Sequence, residues 1–279
     1  MNKLLIINAD DYGLTDAVAQ GILRAHRDGA VTSTSVLAVG PAVRRTAAWL
    51  ADEPELGTGA HLALVGEDPP VLTSREIPTL VTDDGRFPLT WRAFLARAVA
   101  GRVDPDDMER EFEAQLEKLT DECGLQLTHL DTHQHLHLWP SVARVVLALA
   151  LRWNIGAVRL PTSHAHGPKG AGIRLLSRRL RARIRAAGLA APEDYGGLDE
   201  AGDLTLPRFV RTLEQLAGSA AASIEINCHP GEAGDSARAR YAWNYSWGGE
   251  LAALTSPELA DTIGRHGFRT GSYADLSVS

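Results

Sequence analysis

Four of the chain's ten histidines fall within nine residues, in the segment Thr128-His-Leu-Asp-Thr-His-Gln-His-Leu-His-Leu-Trp-Pro140. A folding core has no use for so many imidazoles, because each buried ring carries nitrogens that need partners. Imidazole is also the commonest metal ligand. Three other places carry residues of matching chemistry: Asn8-Ala-Asp-Asp-Tyr-Gly13, Gly59-Ala-His-Leu62 and Asn227-Cys-His-Pro-Gly231. Together they describe a metallohydrolase.

Asp10 and Asp11 are consecutive, so a strand or turn points them in different directions and they cannot share one task. One can hold a metal while the other takes a proton from water. Alone, an Asp-Asp pair is an ordinary N-cap or Asx-turn; Gly13 and three distant histidine motifs favour the chemical reading. His61 follows Gly57 and Gly59, which let another group come close, although a single strand-end histidine is usually a satisfied core residue. His133 is the preferred second imidazole and His137 its substitute; with His135 they share one side if extended chain continues toward Pro140. Asp131 is placed to orient a ligand, and His129 reads as structural. One carboxylate and two imidazoles leave room for water and substrate on an ion, the open arrangement of a catalytic site. His229 is a fourth ligand or a general acid, and the acid is favoured because an imidazole titrates near working pH. Arg159, in Val158-Arg-Leu-Pro161, either keeps Asp10 ionised by pairing with it or makes a structural ion pair. Trp243, Tyr245 and Trp247 alternate along one loop and either stack on sugar faces or pack that loop.

The elements that must position these groups follow from apolar pattern and caps. Lys3 to Ala9 reads as a buried strand, Thr15 as the N-cap of a helix through Asp28, Ala30 to Val39 as a strand, Pro41 to Asp52 as a helix and Leu56 to Leu64 as a third strand. Val65 to Pro88, with four prolines, is a loop over the active face. Asp104-Pro105 caps a helix reaching about Cys123; Leu127 to Asp131 is a strand, Pro140 to Trp153 a helix and Ala157 to Leu160 a short strand. A loop from Pro161 to Gly172 precedes a basic helix, and an irregular stretch covers Ala190 to Thr205. A helix from Pro207, a strand over Ala222 to Cys228, a loop from Gly231 to Gly249 and a last helix opened by Ser256-Pro-Glu complete the chain. The order is that of an α/β fold, a (β/α) TIM-like barrel with long loops at the active face, spanning residues 1–279 as a single domain. Asp10, Asp11, His61, His133, Arg159 and His229 all fall at the C-terminal ends of predicted strands, where β/α barrels carry their chemistry.

With 279 residues, 44% hydrophobic and 23% charged, the chain can bury a large core. Its net charge of −7 gives no general attraction for nucleic acid or anionic membrane. No stretch approaches the ~20 apolar residues of a membrane span. The start, Lys3 and then Leu4 to Ile7, is too short for a signal peptide, so a cytoplasmic enzyme is expected, with Cys123 and Cys228 as small buried thiols. The basic run from Arg174 to Arg185 reads as a solvated helix face. A homo-oligomer is compatible with this sequence.

The chain resembles the YdjC-like carbohydrate deacetylases, the family that includes bacterial chitooligosaccharide deacetylase and hopanoid-associated relatives. The likeness runs through Asn8-Ala-Asp-Asp-Tyr-Gly13, Val31-Thr-Ser-Thr34, Gly59-Ala-His-Leu62, Thr128-His-Leu-Asp-Thr-His133, Cys228-His-Pro-Gly231 and Gly271-Ser-Tyr273. It implies a distorted (β/α) barrel, one divalent metal on Asp11, His61 and His133, and removal of acetyl from an N-acetylated sugar, with Asp10 as base and His229 as acid. The family is usually described with magnesium, whereas the ligand types equally suit zinc. Chitooligosaccharide enzymes often have three successive histidines where this chain has His133-Gln134-His135; the departure touches no position assigned to the metal.

Three rival readings compete. Another metal-dependent amidohydrolase or a phosphoesterase could use the same barrel, but a phosphatase usually needs two close metals or a basic clamp, and neither is evident. A glycoside hydrolase needs two opposed carboxylates and no histidine-rich site. A non-catalytic sugar-binding or metal-storage protein has no need of Asp10 beside Asp11.

Overall fold

A computed structural model describes residues 3–277. Its strands are β1 (Leu4–Tyr12), β2 (Ser33–Val36), β3 (Gly57–Leu62), β4 (His129–Thr132), β5 (Ala157–Val158), β6 (Asp194–Gly196), β7 (Ser223–Cys228) and β8 (Arg269–Thr270). All pair in parallel, in the order β5-β4-β3-β2-β1-β7-β6, with β8 beside the start of β1. The path curls back on itself. Ala157 of β5 pairs with Ala190, just before β6, through Val158 N–H to Ala190 O (2.9 Å) and Ala190 N–H to Gly156 O (2.9 Å). The result is a distorted α/β barrel whose seam is a single bridge.

The helices are α1 (Asp16–Arg27), α2 (Val43–Thr46), α3 (Trp91–Val99), α4 (Pro105–Glu117), α5 (Pro140–Arg152), α6 (Pro168–Ala186), α7 (Leu206–Ala217), α8 (Trp247–Leu254) and α9 (Pro257–Arg265). Predicted caps hold: Thr15 accepts from Val18 N–H (3.1 Å), Asp104 from Asp106 N–H (3.0 Å) and Ser256 from Glu258 N–H (3.2 Å), each satisfying an orphan donor of a first turn. None of the helices of the described residues is long and apolar enough to cross a membrane.

Strand alternation sorts the core into two environments. Leu5, Ile7 and Ala9 of β1, with Ile224, Ile226 and Cys228 of β7, join the large cluster under the helices. Leu4 and Ile6 instead meet Ala157, Ala190 and Tyr273 in a small apolar plug inside the barrel. Above that plug the interior becomes polar: Asn8, Asp10, Ser35, His129, Asp131, Arg159, Glu225 and Asn227 are all buried. Gly59 is needed there, since a Cβ would meet the His129 ring at 2.3 Å. His129 stacks on Tyr273 with centroids 3.7 Å apart, and burial takes its imidazole down to about 3.

Several boundaries differ from expectation. β1 runs on through both aspartates to Tyr12, because a bulge absorbs an extra residue. The helix expected over Pro41 to Asp52 divides into α2 and a 3-10 segment, Ala47–Asp52. α6 begins at Pro168, inside the expected Pro161 to Gly172 loop, and α8 at Trp247, inside the second. β6 lies in the stretch read as irregular; at three residues it is too short to show a period. α3 was not anticipated. The first long loop is fastened from below: Glu111 accepts from Val71 and Leu72 N–H (2.9 and 3.0 Å), and Gln115 bonds Ala63 N–H and C=O (2.8 Å each). Of the two thiols, Cys228 is buried and Cys123 only half-buried, and both are free.

Glu225 is the most exposed to conflict in this interior. Burial pushes its carboxyl up to about 7, although the Arg159 guanidinium and the Tyr273 hydroxyl both favour the anion. Between its ordinary 4.5 and about 7 the folded chain holds a proton that the unfolded chain releases, so its contribution is fully present below that interval and is lost as pH rises through it. Glu225→Gln should therefore flatten the fall in stability between pH ~4.5 and ~7, by on the order of 2–3 kcal/mol. Urea midpoints across that range test this; parallel curves for the two proteins would refute the assignment.

Candidate metal centre and active site

The two aspartates owe their placement to the bulge. Ala9 pairs with Thr34 and Tyr12 with Val36, so Asp10 and Asp11 together oppose only Ser35. Asp11 has φ 68°, in the left-handed region that Asp tolerates better than most side chains. Bulges of this kind re-aim side chains beside active sites. Here a regular strand would send consecutive carboxylates to opposite faces, and the extra residue turns both toward the same interior.

Asp11 faces two imidazoles. Its Oδ1 lies 3.6 Å from His61 Nε2 and 3.5 Å from His133 Nδ1, while those nitrogens are 3.2 Å apart. The Oδ1 is buried and accepts no hydrogen bond. Burial opposes ionisation of Asp11, but His133 and His61 more than offset it and hold the carboxyl below its usual range. Donors bonded to one ion at ~2.0–2.2 Å and tetrahedral angles lie ~3.3–3.6 Å apart; octahedral magnesium at ~2.0–2.1 Å brings neighbours to ~2.8–3.0 Å. The three donors lie close enough together to hold one divalent ion.

His61 is oriented from behind by a close contact of its Nδ1 with Asp131 Oδ1, which leaves Nε2 for the triangle. Although burial disfavours its cation, Asp131, Asp10 and Asp11 push its imidazole up to about 9. Asp131 Oδ2 accepts from Ser35 Oγ (2.6 Å) and pairs with Arg159 Nη1 (2.8 Å). His133 follows β4 directly and lies 5.1 Å from the Trp243 ring.

Arg159, wholly buried, is shared among three carboxylates. Its two Nη atoms donate to Asp10 at 2.7 and 2.8 Å, Nη1 also reaches Asp131, and Nε donates to Glu225 Oε1 (2.8 Å). Asp10 accepts further bonds from Asn8 Nδ2 (2.9 Å) and Asn227 Nδ2 (2.6 Å). Asp10, His61 and Asp131 also gather donor atoms within 4.8 Å, but this second cluster shares His61 and is threaded by the guanidinium. A cation already serves it, which argues against a two-metal centre.

His229 lies just past β7 with Nε2 4.0 Å from Asp10 Oδ2. Its backbone N–H donates to Glu250 Oε2 (2.5 Å), its buried Nδ1 has no hydrogen-bond partner, and its ring lies 4.7 Å from that of Tyr245. Asp10, His61, His133, His229, Trp243 and Tyr245 line one cavity of about 740 Å³. Asp11 sits at the same place, one layer deeper.

The condition under which His133, His135 and His137 would share a side, continued extended chain, is not met, because the strand ends at Thr132. A tight turn follows, with Gln134 and His135 at φ 52° and 53°. His137 is turned away and bridged between Thr132 Oγ1 (2.7 Å) and Arg159 O (3.1 Å); burial lowers its imidazole to about 4. It does not join the triangle. Trp247 opens α8 beneath Arg238, 5.2 Å from its ring centroid, and does not line the cavity.

Glu225, Asn227, Glu250, Asn8, Ser35 and Tyr273 were not singled out from sequence. A signal existed for two of them: Glu225, Asn227 and His229 alternate with Ile224, Ile226 and Cys228, so an apolar strand carries a polar inner face. Glu250 had none, since it acts from α8, a helix the sequence reading did not assign.

The profile of the family described as YdjC-like protein matches residues 4–265. Chitooligosaccharide deacetylases of Salmonella, among them that of Salmonella typhimurium LT2, are 31% identical over 276 residues, 99% of this chain and 100% of theirs. A solved protein of Enterococcus faecalis V583, provisionally named for cellobiose-phosphate cleavage, superposes with TM-score 0.81 at 27% identity over 98% of each chain. An uncharacterized protein of Agrobacterium tumefaciens C58 reaches TM-score 0.50 at 14% identity, over 98% of this chain and 88% of that one, a likeness of fold alone. By the extent of the match and the identity to these relatives, the chain belongs to the YdjC-like family.

Proposed function

We propose that this chain is a metal-dependent carbohydrate N-deacetylase, hydrolysing the acetamide of an N-acetylated sugar of the N-acetylglucosamine type to amine and acetate. The observation that carries the reading is the three-donor triangle of Asp11, His61 and His133 beside an arginine-paired carboxylate, Asp10, and an imidazole, His229, in one cavity. The relatives named chitooligosaccharide deacetylase support the substrate class. A divalent ion held by the triangle would polarise the acetamide carbonyl and acidify water. The ligand types suit zinc, and magnesium is the ion implied by the family resemblance.

The chain's own groups divide the proton work. Asp10 is fixed by four donors, so its orientation is set before substrate arrives, and it is placed to take a proton from the attacking water. The amine leaves poorly as an anion, so the C–N bond breaks as nitrogen receives a proton. His229, 4.0 Å from Asp10, is placed to deliver it. Trp243 and Tyr245 offer ring faces for a sugar at the cavity wall. The protein is proposed to act as a cytoplasmic enzyme of one domain.

Three outcomes follow. Purified protein should release acetate from N-acetylglucosamine oligomers, lose that activity on chelation and recover it with zinc or magnesium; activity untouched by exhaustive chelation would end the metal reading. Asp10→Asn should keep its metal while turnover falls ~10²–10⁴-fold, whereas Asp11→Asn should lose metal as well. Equal metal loss, read by elemental analysis, would erase the distinction between the two acids. His229→Ala should lose sugar acetamides far more than aryl acetate esters, whose phenolate leaves without a proton. A proportional loss on both, with metal released, would make His229 a ligand.

A further inference from the structure

His135 stands in the cavity with no assigned task. It lines the same wall as Asp10, His61, His133 and His229. Its Nδ1 is buried and unpartnered, and its ring makes no hydrogen bond among the described residues. It belongs to neither group of clustered metal donors. Its ring meets Tyr195 edge to face at 5.9 Å, and the Tyr195 hydroxyl is also buried without a partner. The turn that presents it is strained at Gln134: that residue and His135 both adopt the left-handed conformation, uncommon outside Gly, Asn, Asp and His. Such strain persists only where the surroundings enforce it, and it gathers at functional sites.

Gln134 accounts for its own share. Its Oε1 accepts from Trp91 N–H (2.7 Å) and its Nε2 donates to Leu89 O (3.3 Å), fastening the entry of α3 to this turn. Among the described residues His135 has ring contacts with Tyr195 and His137 but no hydrogen bond that would fix its imidazole. The buried Nδ1 is closed to a ligand, but Nε2 is not among the buried unpaired atoms, and a cavity-lining imidazole can donate to or accept from a ligand hydroxyl there.

We propose that His135 is a specificity-determining residue of the substrate pocket, hydrogen-bonding a hydroxyl of the acetamido sugar. The inference rests on the deacetylase reading above. It separates two kinds of substrate, because a simple aryl acetate carries the scissile acetyl but no sugar hydroxyl. A site built to bond a hydroxyl discriminates strongly against ligands without one.

The test uses two replacements that tolerate the turn. Asn adopts the left-handed region readily but is too short to reach the same point; Gln already adopts it at the preceding position and is longer. With N,N′-diacetylchitobiose, His135→Asn should lose ~10–100-fold in kcat/KM, chiefly through KM, and His135→Gln should recover part of it. Aryl acetate turnover and metal stoichiometry should match wild type in both. Loss on both substrates in equal proportion, loss of metal, or no loss on the disaccharide would each overturn the proposal. Calorimetric binding of the disaccharide, in the Asp10→Asn background with and without His135→Asn, keeps the two readings apart. If wild type binds the sugar but releases no acetate, the deacetylase reading fails while the weaker binding expected of His135→Asn still decides this one; if wild type neither binds nor turns over, both fall.

Discussion

Everything in the barrel interior leans on one guanidinium. Arg159 is wholly buried, and it ties Asp10 on β1, Asp131 on β4 and Glu225 on β7 to the end of β5. Three carboxyl groups in a protein interior repel one another and forfeit hydration when ionised; the guanidinium among them offsets that cost, although burial still pushes Glu225 up to about 7. The same bonds also fix directions. Asp131 can press on His61 because its other oxygen is held by Ser35 and Arg159, and His61 thereby presents Nε2 to Asp11. The geometry of the donor triangle is thus set by a residue that touches none of its three members. Arg159 would be a positioning group for the site even if it met no substrate.

Much of this was legible in the sequence because strand ends and residue types coincide. Asp10, Asp11, His61, His133, Arg159 and His229 could be placed on one face without knowing how the strands are ordered, since any β/α barrel gathers its C-terminal strand ends. Helix starts at Thr15, Asp104 and Ser256 were equally readable, because a cap is a local bond between neighbours in sequence. Fold class and family membership follow from the same motifs.

What escaped was whatever depends on irregular backbone or on distant partners. The bulge at Asp10 and Asp11 has no signature of its own, so two consecutive acids could be separated in direction but not shown to share an interior. The turn after Thr132 broke the period of two on which the grouping of His133, His135 and His137 relied. β6 and β8 are too short to carry a pattern, and they exist because neighbours supply the other half of each ladder. Glu250 acts across 21 residues through a backbone bond to His229, a relation no local pattern encodes.

The seam between β5 and Ala190 has a consequence for how the molecule breathes. A barrel opens first where its ladder is thinnest, and here that is one bridge rather than the six-residue register that joins β1 to β7. Arg159 and Tyr195 flank that seam, while His133, His61 and Asp11 follow along the continuous wall on β4, β3 and β1. Fluctuations at the seam would therefore slacken Arg159 first, and with it both the clamp on Asp10 and the Asp131 contact that orients His61. On warming, Asp10 and His61 would lose their alignment together, while the long β1–β7 ladder still held the barrel in one piece.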